Sequence, residues 1–396
     1  MSQLSPNPPR LGDRSLFPDL EARAYLAHAA ISPASLPVRD AVRKLVDDYA
    51  RRGVRAFPAW EARRAHLRVL LARLLNADAS EIALTPGTTR GITDLALSIP
   101  WQRGDRILCM RGEFPANVTP WQRAAELFGL EILWLDSMTF VEDTARGLEG
   151  LSRELTRGVR VVAVSAVQFQ TGLRMPIEAI GELCRRYGTE LAVDAIQACG
   201  AVPVDVVAWG ADYVASGAHK WLMGLEGGGF LWVHPDRVHH LKPYTAGWLS
   251  HEHAADFLFK GPGLLEHGRP LRKSVTVFEG STCSAIGFAA LEASVDSLLQ
   301  IGVQRVYEHV QAYHDRLEGG LLERGFTSLR AADPSGRSAS LSVRVPGRLS
   351  APELHAELLH HGIVTSIPDG YLRFAPHWPN GLDEIPEVLA AIDAAR

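Results

Sequence analysis

Two segments near the middle of the chain carry the clearest structural pattern, Glu190-Leu-Ala-Val-Asp-Ala-Ile-Gln197 and, after it, Asp212-Tyr-Val-Ala-Ser-Gly-Ala-His-Lys220. Each segment contains a short apolar run after its first residue, which is typical of a strand buried on both faces, and each ends in polar side chains. The carboxyl ends of parallel strands meet at one edge of a sheet, where open α/β folds bind ligands. The two segments therefore predict a buried parallel sheet with a ligand site at that edge.

Similar runs extend this pattern in both directions along the chain. The further predicted strands are Arg106–Met110, Glu131–Asp136, Val159–Val167 and Gly229–Val233. Between them lie stretches with apolar residues at helical spacing, such as Pro120–Leu127 and Pro176–Tyr187. Strands alternating with helices predict an α/β fold, with a mostly parallel sheet flanked by helices.

The pattern changes after about Ser281, where two long helices precede short strands and further helices. The strands predicted in this part are Ser328–Ala331, Ala339–Val345 and Tyr371–Ala375. We expect three units: a flexible lead-in over residues 1–20, a large α/β domain over 21–270, and a smaller C-terminal α+β domain over 271–396.

The composition is that of an ordinary globular protein. A net charge of −4 over 396 residues supports neither a nucleic-acid surface nor a membrane surface. The four cysteines are far apart and form no CxxC pair, so we expect neither a metal site nor a disulfide framework. The polar, proline-rich start has no apolar core of a signal peptide, and a cytoplasmic location is expected.

Lys220 follows a predicted buried strand among small residues and beside His219. A buried ammonium without a partner tends to lose its proton and become nucleophilic. The alternative is a lysine that leaves the sheet for solvent. Asp194 ends the preceding strand, where a carboxylate can keep a pyridine nitrogen protonated, and Gln197 could donate to a phenolic oxygen of the same ring. The alternative for Asp194 is a helix cap.

A third segment, Leu84-Thr-Pro-Gly-Thr-Thr-Arg-Gly91, ends a strand and opens a helix. The backbone N–H groups of a helix start, with the hydroxyls of Thr88 and Thr89, can form a phosphate cradle. A plain helix cap is the alternative. Together, the cradle, Asp194 and Lys220 suit an aldehyde cofactor with a phosphate at one end and a basic ring nitrogen, which describes pyridoxal 5'-phosphate (PLP).

The chain resembles the class V aminotransferases, a family of fold-type I PLP enzymes that includes cysteine desulfurases, kynureninases and isopenicillin N epimerase-like proteins. The resemblance covers nearly the whole length, in the order typical of the family. The segments that carry it are Tyr25–Ala30, Gly87–Thr89, Glu113–Gln122, Val193–Gly200, Ser216–Lys220, Phe278–Thr282 and Gly370–Phe374.

The resemblance implies a role for each matching residue. It implies that Lys220 forms the Schiff base and moves the proton at the substrate α-carbon. Asp194 would pair with the ring nitrogen, and Gln197 would approach the phenolic oxygen. The residues implied to hold the phosphate are Thr88, Thr89 and His219, with Thr282 reaching the phosphate of the neighbouring subunit in a homodimer with shared active sites. Arg373 would bind the α-carboxylate of an amino-acid substrate through a bidentate contact; its alternative is a surface arginine on a strand.

The chain departs from the cysteine desulfurases at two places. The residue that stacks on the cofactor ring is a histidine in those enzymes, whereas here it is Phe114, which cannot exchange protons. Desulfurases also carry a nucleophilic cysteine on a mobile loop ahead of the carboxylate-binding arginine. Residues 362–373 contain no cysteine and leave little room for such a loop, which argues against desulfuration.

The expected function is chemistry of the aminotransferase type at the α-carbon of an amino acid, in specialised metabolism. A C–S or other β-lyase, or an epimerase, on the same scaffold is the alternative. A PLP-binding regulator is a third reading, but the chain has no spare basic helix-turn-helix segment. Recognition of the substrate side chain would fall to residues such as His28, Trp121, Trp248, His251 and His377.

Overall fold

The computed structural model describes residues 8–395. The strands in this part of the chain are β1 (Ala24–Tyr25), β2 (Ile82–Thr85), β3 (Arg106–Arg111), β4 (Glu131–Asp136), β5 (Val159–Ser165), β6 (Glu190–Asp194), β7 (Tyr213–Gly217), β8 (Gly229–Val233), β9 (Thr327–Ser328), β10 (Leu341–Arg344), β11 (Ile363–Val364) and β12 (Leu372–Phe374). The helices are α1 (Leu36–Arg52), α2 (Phe57–Leu75), α3 (Thr88–Ser98), α4 (Thr119–Phe128), α5 (Met138–Glu142), α6 (Thr144–Leu155), α7 (Ile177–Tyr187), α8 (Pro235–Val238), α9 (Asp256–Phe259), α10 (Ala285–Ile301), α11 (Val303–Glu323), α12 (Ala351–His360) and α13 (Ile385–Ala394).

The centre of the molecule is a seven-stranded sheet in the order β2-β8-β7-β6-β5-β3-β4. Only β8 runs antiparallel to its neighbours; the other six strands share one direction. The carboxyl ends of β5, β6 and β7 lie side by side, since Asp194 pairs with Ser165 on one flank and with Ala215 on the other. The predicted α/β fold with a mostly parallel sheet is confirmed.

Both faces of the sheet are covered, as the apolar runs predict. Alternate residues of a strand face opposite sides. Val162 and Val193 accordingly lie in a core shared with α2, α7 and α10. Their neighbours Ala163 and Ala192 lie in a second core shared with α3 and α4. Burial on both faces explains why these strands read as continuous apolar runs rather than as an alternation.

A separate core lies between α11, α12, α13 and the antiparallel sheet β12-β10-β9. The strand expected over Ser328–Ala331 is shorter than predicted, because the Ser328 hydroxyl accepts the Arg330 N–H and turns the chain. Ala24 and Leu26 of the N-terminal segment join this core, and β1 pairs in parallel with β11.

The division into a lead-in and two domains stays a prediction. Residues 1–7 of the expected lead-in lie outside the described residues. Leu16 and Phe17, within the rest of that segment, are buried in the core on the α2 side of the large sheet. That part of the segment therefore packs against the fold, which a flexible lead-in would not do.

Within residues 8–395 no single helix is both long and apolar enough to cross a bilayer, although the pair α10 and α11, bent by 76°, reaches the length and composition of a broken span. Over the same residues no three or more His, Cys, Asp and Glu side chains form a group that could hold a metal ion.

Candidate active site

A cavity of about 730 Å³ lies at the carboxyl edge of β5, β6 and β7. Strand ends of a parallel sheet are where the fold brings polar side chains from distant parts of the chain together. The residues predicted for the site that line this cavity are Thr88, Thr89, Phe114, Asp194, Gln197, His219, Lys220 and Arg373. The structure thus collects every residue predicted to bind the cofactor or the substrate carboxylate except Thr282, which is exposed and is not among the lining residues.

Lys220 lies in the turn after β7, and its Nζ atom is 5.3 Å from the centre of the Phe114 ring. Burial and, to a smaller extent, Arg373 lower the pKa of the amine to about 8, although the Asp194 carboxylate acts in the opposite direction. The amine is therefore neutral near physiological pH far more often than that of a free lysine. The alternative of a lysine that leaves for solvent is wrong, because the side chain lines the cavity.

Asp194 is buried at the end of β6, and its Oδ1 accepts the backbone N–H of Ile196 at 2.9 Å. A turn rather than an α-helix follows, so the helix-cap alternative is wrong. Burial raises the pKa of this carboxyl to about 6. A cationic ring nitrogen beside it would favour the ionised form. Asp194 therefore has the position and the charge needed to pair with a pyridinium.

Gln197 is held by two internal contacts beside the cavity. Its Oε1 accepts from the indole N–H of Trp221 at 2.7 Å, and its Nε2 donates to the carbonyl of Ala29 at 3.1 Å. An amide nitrogen carries two hydrogens, so one donor remains for a further partner. The predicted approach to a phenolic oxygen is compatible with these contacts and stays a prediction.

The start of α3 provides the phosphate end of the cavity. Thr88 is buried, and its Oγ1 has no hydrogen-bond partner among the described residues, so the side chain does not act as a plain helix cap. A buried hydroxyl without a partner is costly, and a phosphate oxygen would satisfy it. Thr89 and His219 line the same end, and burial lowers the pKa of His219. These residues fit the phosphate of PLP.

Arg373 of β12 also lines the cavity. It is 4% exposed, which rules out the surface-arginine alternative. Its Nη1 donates to the carbonyl of Phe169 at 2.8 Å and its Nε to the hydroxyl of Ser366 at 3.0 Å. No carboxylate in the described part of the chain forms an ion pair with it, and burial lowers its pKa to about 10. A buried guanidinium with only neutral partners is suited to a substrate carboxylate.

Several residues at the site were not predicted. Phe169 and Pro368 line the cavity, and the Phe169 ring packs edge-on against Phe114 at 5.4 Å between centroids. Glu113, just before Phe114, is buried beside the site. Glu113 could have been found from the sequence, because it begins the Glu113–Gln122 segment that carries the family resemblance. No motif in the sequence points to Phe169.

The five residues considered for side-chain recognition lie outside the lining of the cavity. His28 and His377 are buried, and His377 Nε2 donates to the Trp221 carbonyl at 2.8 Å because its Nδ1 accepts a backbone N–H. Trp121 is buried in the core beside α3 and α4, and Trp248 and His251 line a separate cavity of about 330 Å³. The positions of His28 and His377 are therefore explained by packing in the protein interior rather than by contact with a substrate.

Known proteins are similar to this chain over most of its length. The Aminotransferase class-V family matches residues 24–366. An uncharacterized aminotransferase, YcbU of Bacillus subtilis, is 26% identical over 96% of both chains. A probable cysteine desulfurase of Xylella fastidiosa is 34% identical over 64% of this chain and 58% of its own length.

Solved structures share the fold. A C-DES mutant with glycine covalently linked to its PLP cofactor has a TM-score of 0.86 and 23% identity, covering 96% of this chain and 98% of its own. The cysteine desulfurase of Thermococcus onnurineus has a TM-score of 0.82 and 24% identity, covering 94% of both chains. These likenesses and the family match confirm the fold-type I architecture and PLP as the cofactor. The chain belongs to the class-V aminotransferase family.

Proposed function

We propose that this chain catalyses aminotransferase-type chemistry at the α-carbon of an amino acid, with PLP bound through Lys220. The proposal rests on one observation: a lysine with a lowered pKa, a buried carboxylate, a helix start with a partnerless hydroxyl and a buried guanidinium line the same cavity. When bound, PLP supplies an aldehyde for covalent linkage and a ring that accepts electrons from the substrate α-carbon.

Each residue has a distinct task in this proposal. Asp194 holds the proton of the ring nitrogen, while Thr88, Thr89 and His219 bind the phosphate. Phe114 supports the face of the ring, because its own ring already lies next to Lys220. Arg373 binds the substrate carboxylate and so places the α-carbon within reach of the Lys220 amine, which accepts and returns its proton.

The shape of the Arg373 segment supports transamination over desulfuration. Ser366 and Arg373 exchange backbone hydrogen bonds, so the residues between them form a tight hairpin. This hairpin contains no cysteine that could approach a substrate sulfur. Cys283 is half-buried, is not among the described residues that line the cavity, and has a pKa raised by burial, all of which disfavour a thiolate nucleophile.

A C–S lyase is the second candidate, because the C-DES structures are similar to this chain in fold. One of them, named as a cystine C–S lyase in complex with cysteine persulfide, has a TM-score of 0.85. A lyase needs no thiol nucleophile on the enzyme, so the hairpin does not argue against it. An epimerase would share the same binding residues and differ only in where the proton returns.

We also propose a homodimer in which Thr282 reaches the phosphate bound by the partner subunit. Thr282 is exposed and lies outside the cavity of its own chain, which supports a role in a neighbouring site. Symmetric dimers with shared sites are a common form of soluble oligomer.

The test is product analysis on the purified, PLP-loaded protein with a panel of L-amino acids and L-cystine, each with and without pyruvate or 2-oxoglutarate. Transamination requires the keto acid and converts it into its amino acid. A lyase releases pyruvate and ammonia without an acceptor, an epimerase forms the D-isomer as its only new product, and a desulfurase releases alanine from L-cysteine. Lys220→Ala is the control, and borohydride should attach the cofactor to Lys220 in the wild type alone. Acceptor-independent products would contradict the aminotransferase proposal.

A further inference from the structure

Glu113 is a buried acidic side chain beside the cavity, and the proposed function gives it no task. It lies between the end of β3 at Arg111 and the ring of Phe114. Its hydrogen-bond partners in the described structure are neutral, and burial raises the pKa of the carboxyl to about 7, helped by the nearby Asp194. A carboxyl group buried without a cation carries a cost in stability, so its presence here calls for a compensating role.

Three donors converge on this carboxyl group. Oε1 accepts from the backbone N–H of Ser165 at 2.7 Å and from the Nε2 of Gln168 at 3.1 Å. Oε2 accepts from the Ser165 hydroxyl. Ser165 is the last residue of β5 and pairs in register with Asp194 of β6. Glu113 thus connects the β3 loop to the strand end that flanks Asp194.

The neighbours of these partners form the wall of the cavity. Phe114 follows Glu113, Phe169 follows Gln168, and their rings pack edge to face at 5.4 Å. The Phe169 carbonyl accepts from Arg373 Nη1 at 2.8 Å, and the Lys220 Nζ lies 5.3 Å from the centre of the Phe114 ring. The carboxyl group of Glu113 therefore links two segments. One carries the Phe114 ring next to Lys220, and the other carries the Phe169 carbonyl that accepts from Arg373.

We infer that Glu113 is a positioning residue, which holds Phe114 against the cofactor ring and the Phe169 carbonyl against Arg373 through its contacts with Ser165 and Gln168. It touches neither substrate nor cofactor. The inference rests on the proposed function, since it assigns the cavity to PLP and an amino-acid carboxylate.

The contacts survive a change in the protonation of Glu113. In the protonated form, Oε2–H can donate to the Ser165 hydroxyl while Oε1 still accepts from Ser165 N–H and from Gln168. A glutamine amide has nearly the same shape, and it offers a carbonyl acceptor in place of Oε1 and an N–H donor in place of Oε2–H. Glu113→Gln therefore removes the charge but keeps the geometry, whereas Glu113→Ala removes both.

The experiment compares the PLP-loaded wild type with these two variants by two measurements. One is the circular dichroism of the visible cofactor band, normalised to its absorbance, which reports how the ring is held. The other is hydrogen–deuterium exchange of the peptides covering Ser165–Leu173. In Glu113→Ala we expect the dichroism to fall by about half or more and exchange to rise by about tenfold, because local opening is no longer opposed by these bonds. In Glu113→Gln we expect both signals close to the wild type.

Two further variants serve as controls. Glu384→Ala removes a carboxyl group that accepts hydrogen bonds from Tyr313 and Asn380, near the core between α11, α12, α13 and the sheet β12-β10-β9. This variant tests whether the loss of any hydrogen-bonded carboxyl group disturbs the cofactor, and we expect its dichroism to be unchanged. Gln168→Leu breaks one hydrogen bond of the Glu113 carboxyl group and should raise hydrogen–deuterium exchange several-fold in the residues that follow Gln168. This variant keeps the test decisive if Glu113→Ala does not fold.

Any one of three results would overturn the inference. The first is unchanged dichroism and exchange in Glu113→Ala, and the second is unchanged exchange in Gln168→Leu. The third is a Glu113→Gln variant that is as disturbed as Glu113→Ala. A wild type with no visible cofactor band would instead contradict the proposed function, and the exchange measurements would still decide whether Glu113 holds the two segments together.

Discussion

Replacing Lys220 by methionine should stabilise the cofactor-free protein, and the gain should depend on pH. Methionine has a similar length and no charge, so the change removes the buried amine while filling its space. A pKa of about 8 in the folded protein, against 10.5 for a free lysine, corresponds to about 3 kcal/mol of unfavourable free energy for holding the ammonium in the folded state.

The sign follows from proton linkage. Below a pH of about 8 the amine is charged in both states, and the folded state bears the whole cost. As the pH rises towards 10.5, the lysine also loses its proton in the unfolded protein. The free-energy cost of holding the ammonium in the folded state then disappears. We therefore expect Lys220→Met to exceed the wild type in free energy of unfolding by about 3 kcal/mol at pH 7 and by roughly 1.5 kcal/mol at pH 9.5.

Urea unfolding of the cofactor-free proteins at the two pH values measures this difference, since groups common to both proteins cancel. Lys242→Met, at an exposed lysine, is the matched control and should show no pH-dependent difference. A stability difference that does not change between pH 7 and 9.5, or a Lys220→Met variant less stable than the wild type at pH 7, would refute the argument that burial makes this amine nucleophilic.

Three further predictions concern the proposed site. Asp194→Asn should still bind PLP but lose most of its turnover, since an unprotonated ring accepts electrons poorly; a rate near that of the wild type would show that another group controls the ring nitrogen. Arg373→Ala should weaken apparent amino-acid binding by roughly two orders of magnitude at nearly intact cofactor loading, measured by titration of the cofactor spectrum. Unchanged substrate dependence would contradict that role, and stoichiometric persulfide on any cysteine after incubation with L-cysteine would contradict the expectation that the reaction is not desulfuration. Thr282→Ala should lower the affinity for PLP in a dimer seen by sedimentation, whereas a fully active monomer would rule out the shared site.

Much of the site was predictable because its parts are local in sequence. Asp194 and Lys220 each follow a short apolar run that forms a strand with nearly the predicted bounds, Glu190–Asp194 and Tyr213–Gly217. Thr88 opens a helix directly after a strand. In a parallel sheet, such strand ends must meet at one edge, so the position of each residue within its own segment was enough to place these side chains together.

The tertiary structure decided what depends on contacts between distant segments. His377 carried no signal that its ring would bond the Trp221 carbonyl, 156 residues away in sequence, rather than face a substrate. The pairing of β1 with β11 was equally hidden, since Ala24 pairs with Ile363 although 338 residues separate them.

The fold class, the cofactor chemistry and the positions of the strand-end residues could be inferred from short segments of the chain, since the spacing of apolar residues, the turn residues and the order of the motifs are local properties. The burial of Arg373 against the Phe169 carbonyl and the hydrogen bonds that Glu113 accepts from Ser165 and Gln168 are visible only in the folded chain. The physical reason is that burial and hydrogen-bond partners are set by packing between segments far apart in the chain, and no local pattern records which buried donor meets which acceptor.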